Sequence, residues 1–354
     1  MPVAMVLPAP LAAAGKPAQF ALPDLVGHCT FPLTYHPAGD ATAAASVAWL
    51  ASSSPEIAGS PRALRALHGL RAGELTAMCY PTCAPERLRV VSDFMYFLFR
   101  LDDISDGMVR AGTQALADAV MNALWFPDRF LPTEREFWVR CTRDAKPGPQ
   151  ARFKEHLELF FEAVHQQARD RDAGSIPDLE SYINVRRDTS GCRPVFDLIE
   201  YAADIDLPEC VVAHPTIRAL SDGANDLVTC AQDIFSYNKE QARGDTHNMI
   251  VILMKLRGCD LQTAVDSVGD LCRQTIDAFV ANQRALPSFG PKIDRDVALY
   301  VRGLQDWIVG SLHWSFESER YFGKSGAKVK KLGIVKLLPR RDSRPAILYF
   351  TLSS

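Results

Sequence analysis

The sequence predicts an all-α protein built as a single helical bundle, and three observations support that prediction. Apolar residues recur at helical spacing from about residue 40 to about residue 322. No strand-length alternation of β-branched residues occurs before the last thirty residues, where the segment ILYFTL at 347–352 is the one candidate strand. Hydrophobic residues make up 47% of the 354 residues, which is enough to build a large core.

The predicted helices follow one another with short breaks that contain typical helix-ending residues. Ser60 followed by Pro61 is typical of a helix start. Gly244 is a plausible C-terminal stop, and Asp245 or Thr246 is expected to cap the next helix. The Asp-Thr-Ser-Gly stretch at 188–191 is expected to break or kink its helix. The predicted helices span about 41–53, 60–80, 85–106, 111–125, 133–143, 149–170, 177–187, 195–205, 221–243, 247–256, 260–286 and 293–322.

Composition divides the chain into three parts. Residues 1–25 are rich in proline and alanine and are expected to form a flexible N-terminal tail. Residues 26–323 are expected to form the helical domain, and residues 324–354 form a basic C-terminal segment. Two interpretations of that segment stay open: a solvated surface segment, or one that folds over a polyanionic substrate. Its basic residues are Lys324, Lys328, Lys330, Lys331, Lys336, Arg340, Arg341 and Arg344.

The composition also argues against several classes of function. A net charge of −3 argues against nucleic acid as a partner. The nine cysteines include no CxxC pair and no accompanying histidine cluster, so zinc is not expected, and the unpatterned set fits a reducing, cytoplasmic compartment. No apolar run reaches the roughly 18 residues of a membrane span, so stable membrane insertion is not expected. The N-terminus lacks the positive charge with which a signal peptide begins.

One strongly apolar predicted helix ends in a cluster of aspartates. The run Phe94–Phe99 leads directly to Asp102, Asp103 and Asp106. In a helix, Asp102 and Asp106 lie one turn apart on the same face, and Asp103 lies beside them. A helix end that is exposed to water would tolerate these acids. Hard cations with oxygen ligands are the alternative, because Mg²⁺ typically uses one or two carboxylates together with substrate phosphates.

A second oxygen-rich stripe lies far along the chain. Gln232, Ser236 and Glu240 stand at i, i+4 and i+8, so an amide oxygen, a hydroxyl and a carboxylate share one helix face. A solvated polar stripe is the plainer interpretation of this pattern. A rival register also exists on the same helix, formed by the three positions Asn225, Thr229 and Asp233. The rival set has no Lys-Glu pair equivalent to Lys239 and Glu240. The residue 46 positions before its first member, Asn225, is Leu179 and not an arginine.

Taken together, these motifs resemble the class I terpene synthase family, and most closely its fungal, basidiomycete-type sesquiterpene cyclases, over roughly residues 20–340. Asp102-Asp103-x-x-Asp106 is similar to the family's aspartate-rich motif. The second stripe is similar to its Asn/Ser/Glu metal triad, except that Gln232 stands where the family usually has Asn. Three further matches are Arg186 at the position of the pyrophosphate sensor, Thr189 and Ser190 at the linker and effector positions, and Arg320-Tyr321 as the closing pair.

The resemblance implies a single-domain bundle around a central apolar cavity, in which farnesyl pyrophosphate is ionised with the help of three Mg²⁺ ions. The implied metal ligands are Asp102, Asp103, Asp106, Gln232, Ser236 and Glu240. The implied pyrophosphate donors are Arg186, Lys239, Arg320 and Tyr321, and the implied catalytic set is Arg186, Thr189, Ser190, Phe99 and Trp314. Phe99 and Trp314 would stabilise the carbocation with their ring faces. A monomer or a homodimer is expected.

Two alternative functions stay open beside this interpretation. A prenyl-chain elongation enzyme would want a second aspartate-rich motif where this chain has QDIFSYNKE. A catalytically silent homologue would bind metal and pyrophosphate without ionising it, and only Gln232 favours it. Among products, the overall similarity leans toward 1,11 ring closure and a Δ6-protoilludene-type tricycle.

Overall fold

The all-α prediction is confirmed in the computed structural model, which describes residues 18–105, 110–130, 136–173 and 177–340. The helices in these ranges are α1 (Leu25–His28), α2 (Gly39–Ser53), α3 (Pro55–Ala58), α4 (Pro61–Leu70), α5 (Ala72–Cys79), α6 (Pro85–Ser105), α7 (Arg110–Trp125), α8 (Pro127–Phe130), α9 (Phe137–Asp144), α10 (Pro147–Ala173), α11 (Leu179–Thr189), α12 (Cys192–Ala203), α13 (Glu209–Val212), α14 (Pro215–Arg243), α15 (Met249–Arg257), α16 (Leu261–Arg284), α17 (Pro291–Glu317), α18 (Glu319–Phe322) and α19 (Gly326–Leu332). None of them is long and apolar enough to cross a lipid bilayer.

Two three-residue strands join the ends of the described chain. β1 (Gln19–Ala21) pairs antiparallel with β2 (Ile334–Lys336), and Phe20, the central residue of β1, is buried. The flexible tail predicted for residues 1–25 is therefore wrong for its last eight residues, while residues 1–17 lie outside the described ranges. Strands of three residues are too short to show an alternation of apolar and polar residues in the sequence. Each of these two strands forms because the other lies beside it. The candidate strand at 347–352 also lies outside the described ranges.

The 29-residue helix α14 lies at the centre of the packing. It packs most extensively on α16, and it also contacts α17, α11 and α15. Its buried side chains alternate with polar ones at helical spacing, so one helix presents an apolar face to the core and a polar face to a hollow. The walls of that hollow come from α5, α6, α10, α11, α12, α14, α17 and α18.

The break predicted at 188–191 separates α11 from α12. Gly191 adopts a φ of +68°, in the left-handed region that favours glycine. A Cβ at this position would also come within 3.1 Å of the Leu98 side chain on α6. The break leaves Thr189, Ser190 and Gly191 against the hollow instead of inside a continuous helix.

Some predicted helix ends are wrong. α14 ends before Gly244 as predicted, but Asn248 caps α15, accepting a hydrogen bond from the Ile250 N–H at 2.8 Å. The predicted helix 60–80 is interrupted at Arg71, which has a φ of +55°. The predicted helix 293–322 is divided at Ser318, whose hydroxyl caps α18. Several neighbouring polar side chains could cap the same helix end, and tertiary contacts decide which of them does so.

Candidate active site

Two adjoining hollows share part of their lining. The first is mainly apolar and encloses an empty volume of about 760 Å³, counting its open mouth. The second is mainly polar and of similar size, about 790 Å³. The residues common to both are Asp102, Arg186, Thr189, Gln232, Arg320 and Tyr321. Because these side chains line both spaces, a ligand with a charged head and an apolar tail fits across the boundary.

Aromatic side chains line the apolar hollow. Phe99 and Trp314, both predicted from the sequence, lie with their ring centroids 5.3 Å apart and their planes tilted by 33°. The Trp314 indole N–H donates to the carbonyls of Leu70 and Arg71, which holds the ring in place. The sequence analysis missed Phe160 and Trp307, which line the same space. Their helical spacing on α10 and α17 gave no signal to separate them from ordinary core residues.

The aspartate wall lies at the end of α6. Arg320 donates from Nη2 to Asp102 Oδ2 at 2.7 Å and from Nη1 to Asp103 Oδ1 at 3.2 Å. Burial raises the pKa of Asp102, and the charge of Arg320 partly opposes that rise. The Asp102 side chain is 36% accessible, but it faces the hollow and not the open surface. Asp106, the third predicted acid, lies outside the described residues.

The opposite wall is the polar face of α14, where Gln232, Ser236 and Glu240 line the polar hollow together. Burial, followed by the nearby charge of Asp233, raises the pKa of Glu240 to about 8. Asn248 donates a hydrogen bond to Glu240 Oε2 at 2.8 Å and favours the charged carboxylate. Glu240 on this wall is therefore a buried carboxyl group with a raised pKa. A cation bound beside it would lower that pKa toward its ordinary value.

The rival register does not face this space. Asn225, Thr229 and Asp233 line neither hollow. Asp233 instead accepts two hydrogen bonds from Arg186 and one from Tyr182 on α11. The geometry thus favours the first register as the set that faces a ligand.

Three predicted cations converge on the polar hollow. Burial by itself lowers the pKa of Arg186, but its interactions with Asp233, Tyr182 and Glu240 together outweigh burial and raise the pKa. The same holds for Arg320 with Asp102 as its main partner. Lys239 donates to the carbonyls of Glu319 and Arg320, and burial, followed by the charges of Arg243 and Arg320, lowers its pKa. The sequence analysis missed Arg243 as a further cation beside the hollow.

The remaining predicted residues also lie at the hollow. Thr189 lines both spaces, and Ser190 lines the apolar one. The Ser190 hydroxyl donates to the Arg187 carbonyl at 2.9 Å and lies 3.0 Å from Asn225 Oδ1. Burial raises the pKa of Tyr321 to about 12, so its hydroxyl keeps its proton and stays a donor. His247 also lines the polar hollow, with its ring centroid 4.9 Å from that of Tyr182.

The donor set fits a hard divalent cation. Oxygen ligands on two facing walls, with carboxylates on both, are what Mg²⁺ uses. Among the described residues, no three His, Cys, Asp or Glu side chains converge on one point. Mg²⁺ commonly completes its coordination with phosphate oxygens of a bound ligand.

Comparison with known proteins gives the same result as the geometry. Residues 93–278 match the family described as terpene synthase family 2, C-terminal metal binding. The chain is 59% identical over 336 residues to the α-muurolene synthase of Coprinopsis cinerea, covering 91% of this chain and 79% of the relative. It is 60% identical over 342 residues to the sesquiterpene synthase Agr3 of Cyclocybe aegerita, covering 92% and 95%.

A more distant relative and a solved structure extend the comparison. The Δ6-protoilludene synthase of Stereum hirsutum is 35% identical over 351 residues, covering 95% of this chain and 94% of the relative. The crystal structure of germacradien-4-ol synthase from Streptomyces citricolor superposes with a TM-score of 0.70 at 26% identity, covering 81% of this chain and 96% of that chain. The family resemblance is thereby confirmed, and the chain belongs to the terpene synthase family, among relatives that are basidiomycete sesquiterpene synthases.

Proposed function

We propose that this protein is a Mg²⁺-dependent sesquiterpene cyclase that ionises farnesyl pyrophosphate, releases pyrophosphate and closes the C15 carbocation into a ring. One observation carries the proposal: a polar hollow with carboxylates and cations on its walls opens directly into an aromatic-lined apolar hollow. A pyrophosphate fits the polar hollow and a farnesyl chain fits the apolar hollow. The names of the close relatives support a C15 substrate.

The first chemical need is to stabilise charge on the departing pyrophosphate. When bound, divalent metal would supply Lewis-acid stabilisation of the phosphate oxygens. Asp102 and Asp103 on α6, Gln232, Ser236 and Glu240 on α14, and, from the sequence motif alone, Asp106 are proposed to hold the metal. Three ions, identified as Mg²⁺, are proposed on the family resemblance.

The cations are proposed to bind the pyrophosphate directly. Arg186 and Arg320 have planar guanidinium groups suited to bidentate contact with phosphate oxygens. Lys239 adds a third charge, and the protonated hydroxyl of Tyr321 adds a neutral donor. Thr189 and Ser190, at the break after α11, are proposed to relay the contact between Arg186 and the pyrophosphate to the reacting carbon.

The second need is to protect the cation that remains. Water would quench it, so the hollow must be dry when the C–O bond breaks. The tilted pair of Phe99 and Trp314 presents aromatic faces to that space. Such faces stabilise a cation by roughly 0.5–2 kcal/mol each without forming a bond to it.

The product is proposed to be of the α-muurolene type. The relative of that name is 59% identical, whereas the Δ6-protoilludene synthase is 35% identical. The 1,11 closure to a Δ6-protoilludene-type tricycle, which the sequence analysis favoured, becomes the second candidate product.

Two further features of the proposal concern the whole protein. All nine cysteines are free, which supports a reducing, cytoplasmic compartment. A single cyclase domain over residues 26–323 and a monomer or homodimer are proposed on the family resemblance.

One experiment separates the candidate functions. Purified protein is incubated with farnesyl pyrophosphate, with and without Mg²⁺, and the extract is analysed by gas chromatography–mass spectrometry. A cyclic C15 hydrocarbon that requires Mg²⁺ is expected, and its retention and spectrum distinguish a muurolene from a protoilludene. Longer prenyl pyrophosphates would indicate a chain-elongation enzyme, and unconsumed substrate with measurable pyrophosphate binding would indicate a silent homologue.

A further inference from the structure

Helix α14 carries a second polar stripe, and it faces α11 instead of the hollow. The stripe consists of Asn225, Thr229 and Asp233, the register that the sequence analysis weighed and disfavoured as a metal site. All three side chains are at least nine-tenths buried. Asn225 and Asp233 are hydrogen-bonded to α11, whereas the Thr229 hydroxyl donates to the carbonyls of Asn225 and Asp226 on its own helix. Buried polar groups in a helix interface need such partners, and here the main partners lie on the helix that presents Arg186.

Asp233 is the centre of this network. Its Oδ1 accepts from Arg186 Nε and from Arg186 Nη2, both at 3.1 Å. Its Oδ2 accepts from the Tyr182 hydroxyl and from the Met249 backbone N–H at 2.9 Å. One carboxylate therefore ties α11, α14 and the first turn of α15 together.

The contact with Asp233 uses only one edge of the Arg186 guanidinium. A guanidinium has five N–H donors in a fixed plane, and Asp233 takes one from Nε and one from Nη2. Arg186 also lines both hollows. Holding the inner edge fixes the plane of the group, so the outer donors point toward a ligand in a set orientation.

The other end of the stripe holds Ser190. Asn225 Oδ1 lies 3.0 Å from the Ser190 hydroxyl, and Asn225 Nδ2 donates to the Arg187 carbonyl at 2.8 Å. The break at Gly191 leaves these last residues of α11 without a following helical turn. Asn225 therefore supplies the support that a continuous helix would have given them.

We propose that Asn225 and Asp233 of this stripe position α11 for catalysis, with Asp233 as the positioning residue for Arg186 and Asn225 as that for Ser190. The proposal rests on the function proposed above. In this proposal, one face of α14 holds the metal ligands, and the neighbouring face of the same helix orients Arg186, which binds the pyrophosphate.

The chain offers a matched control between the same two helices. Arg187 and Asp226 form a bidentate pair at 2.7 Å for both hydrogen bonds, outside both hollows. Asp226→Asn removes a carboxylate that pairs α14 with α11, as Asp233→Asn does, but touches nothing that faces the ligand. A purely structural role for Asp233 predicts similar behaviour for the two variants.

The first measurement is calorimetric binding of inorganic pyrophosphate with Mg²⁺ to the full-length protein. We expect Asp233→Asn to weaken binding about tenfold, the usual size for a lost hydrogen bond to a charged group, and Asp226→Asn to change it less than about twofold. Loss of the Asp233 charge alone would strengthen anion binding, because that charge partly neutralises Arg186. A weaker affinity therefore reports orientation and not charge.

The second measurement separates the two ends of the stripe by steady-state kinetics. Asn225→Ala is expected to lower kcat about tenfold while pyrophosphate affinity stays within about twofold, because Arg186 keeps its partner. Asp233→Asn is expected to lower kcat/KM more than Asn225→Ala does. Wild-type kcat and pyrophosphate affinity in both variants would overturn the proposal, as would equal losses in Asp233→Asn and Asp226→Asn.

If Asp233→Asn does not fold, Tyr182→Phe decides, because it removes one donor to Asp233 and leaves the Arg186 pair. An affinity about threefold weaker is expected, since a neutral hydrogen bond contributes less than a charged one, and an unchanged affinity would overturn the proposal. Binding does not require turnover, so a wild-type protein that binds pyrophosphate without making product would refute the proposed function and leave this test intact.

Discussion

Arg320 donates hydrogen bonds to Asp102 at 2.7 Å and to Asp103 at 3.2 Å, although more than 200 positions separate them along the chain. The same guanidinium lies 4.9 Å from the centroid of the Phe99 ring. One side chain therefore touches the proposed metal wall and the start of the apolar hollow. A cation that binds Asp102 must share it with Arg320 or displace it, so acids, metal and arginine form one coupled system.

The first prediction concerns Asp102. We expect Asp102→Ala to lower kcat by about 10³-fold or more, because a group that stabilises charge in the transition state is typically worth 10²–10³. Asp103→Ala is the comparison, with a smaller loss, since Asp103 is more exposed and lies farther from Arg320. Product formation is measured by gas chromatography. Near-normal turnover in Asp102→Ala would rule out the metal assignment on α6.

The second prediction concerns the unusual amide. Gln carries the same amide oxygen as Asn on a side chain with one more rotatable bond, so Gln232→Asn is expected to keep or raise activity. Gln232→Ala is expected to weaken Mg²⁺ binding in the presence of pyrophosphate about tenfold. Asn225→Ala serves as the control, because Asn225 faces α11. If Asn225→Ala loses Mg²⁺ binding while Gln232→Ala does not, the ligand register is wrong.

The third prediction follows from Glu240, whose pKa is raised to about 8. Metal binds the charged carboxylate, so the affinity for Mg²⁺ with pyrophosphate should rise from pH 6.5 toward about 8 and then level off, with proton release below about 8. Without metal, the buried acid favours the protonated folded state, so its contribution to stability is present below the unfolded pKa and is lost as the pH rises through about 8.

Calorimetry in buffers of different ionisation enthalpy measures the released proton, and thermal unfolding with and without Mg²⁺ measures the stability. Glu240→Gln should remove this share of the pH dependence of stability as well as the proton release. A pH dependence of both quantities that is identical in Glu240→Gln and wild type would assign them to another group.

The fourth prediction concerns the aromatic pair. Phe99→Leu keeps an apolar side chain of similar size but removes the ring that lies between Arg320 and Trp314. We expect a mixture of acyclic and altered cyclic products, with pyrophosphate affinity within about twofold of wild type, because a ring face contributes roughly 0.5–2 kcal/mol to a bound cation. Phe94→Leu is the control, since Phe94 packs on Phe137 and Phe153 in the core. An unchanged product profile in Phe99→Leu would remove this ring from the mechanism.

The sequence by itself determined the helical class and the two walls of the site. The spacing of Gln232, Ser236 and Glu240 predicted that they share one face, because helix geometry determines which residues lie on the same side. The cluster at Asp102 and Asp103 was visible for the same reason. The break after α11 was predicted from the local hydrogen-bonding side chains and the glycine that follow Arg187.

The sequence favoured one polar stripe of α14 as the ligand-facing set, but only the tertiary structure decided what each stripe faces. Both registers have the same spacing, and local sequence cannot say what packs against each face; α11 covers Asp233, and the hollow lies beside Glu240. The same reason applies to Phe160 and Trp307, and to the β1–β2 pair. Periodicity is a property of one segment, whereas burial, the pKa of Glu240 and the contact of Arg320 with Asp102 depend on segments that meet only after folding.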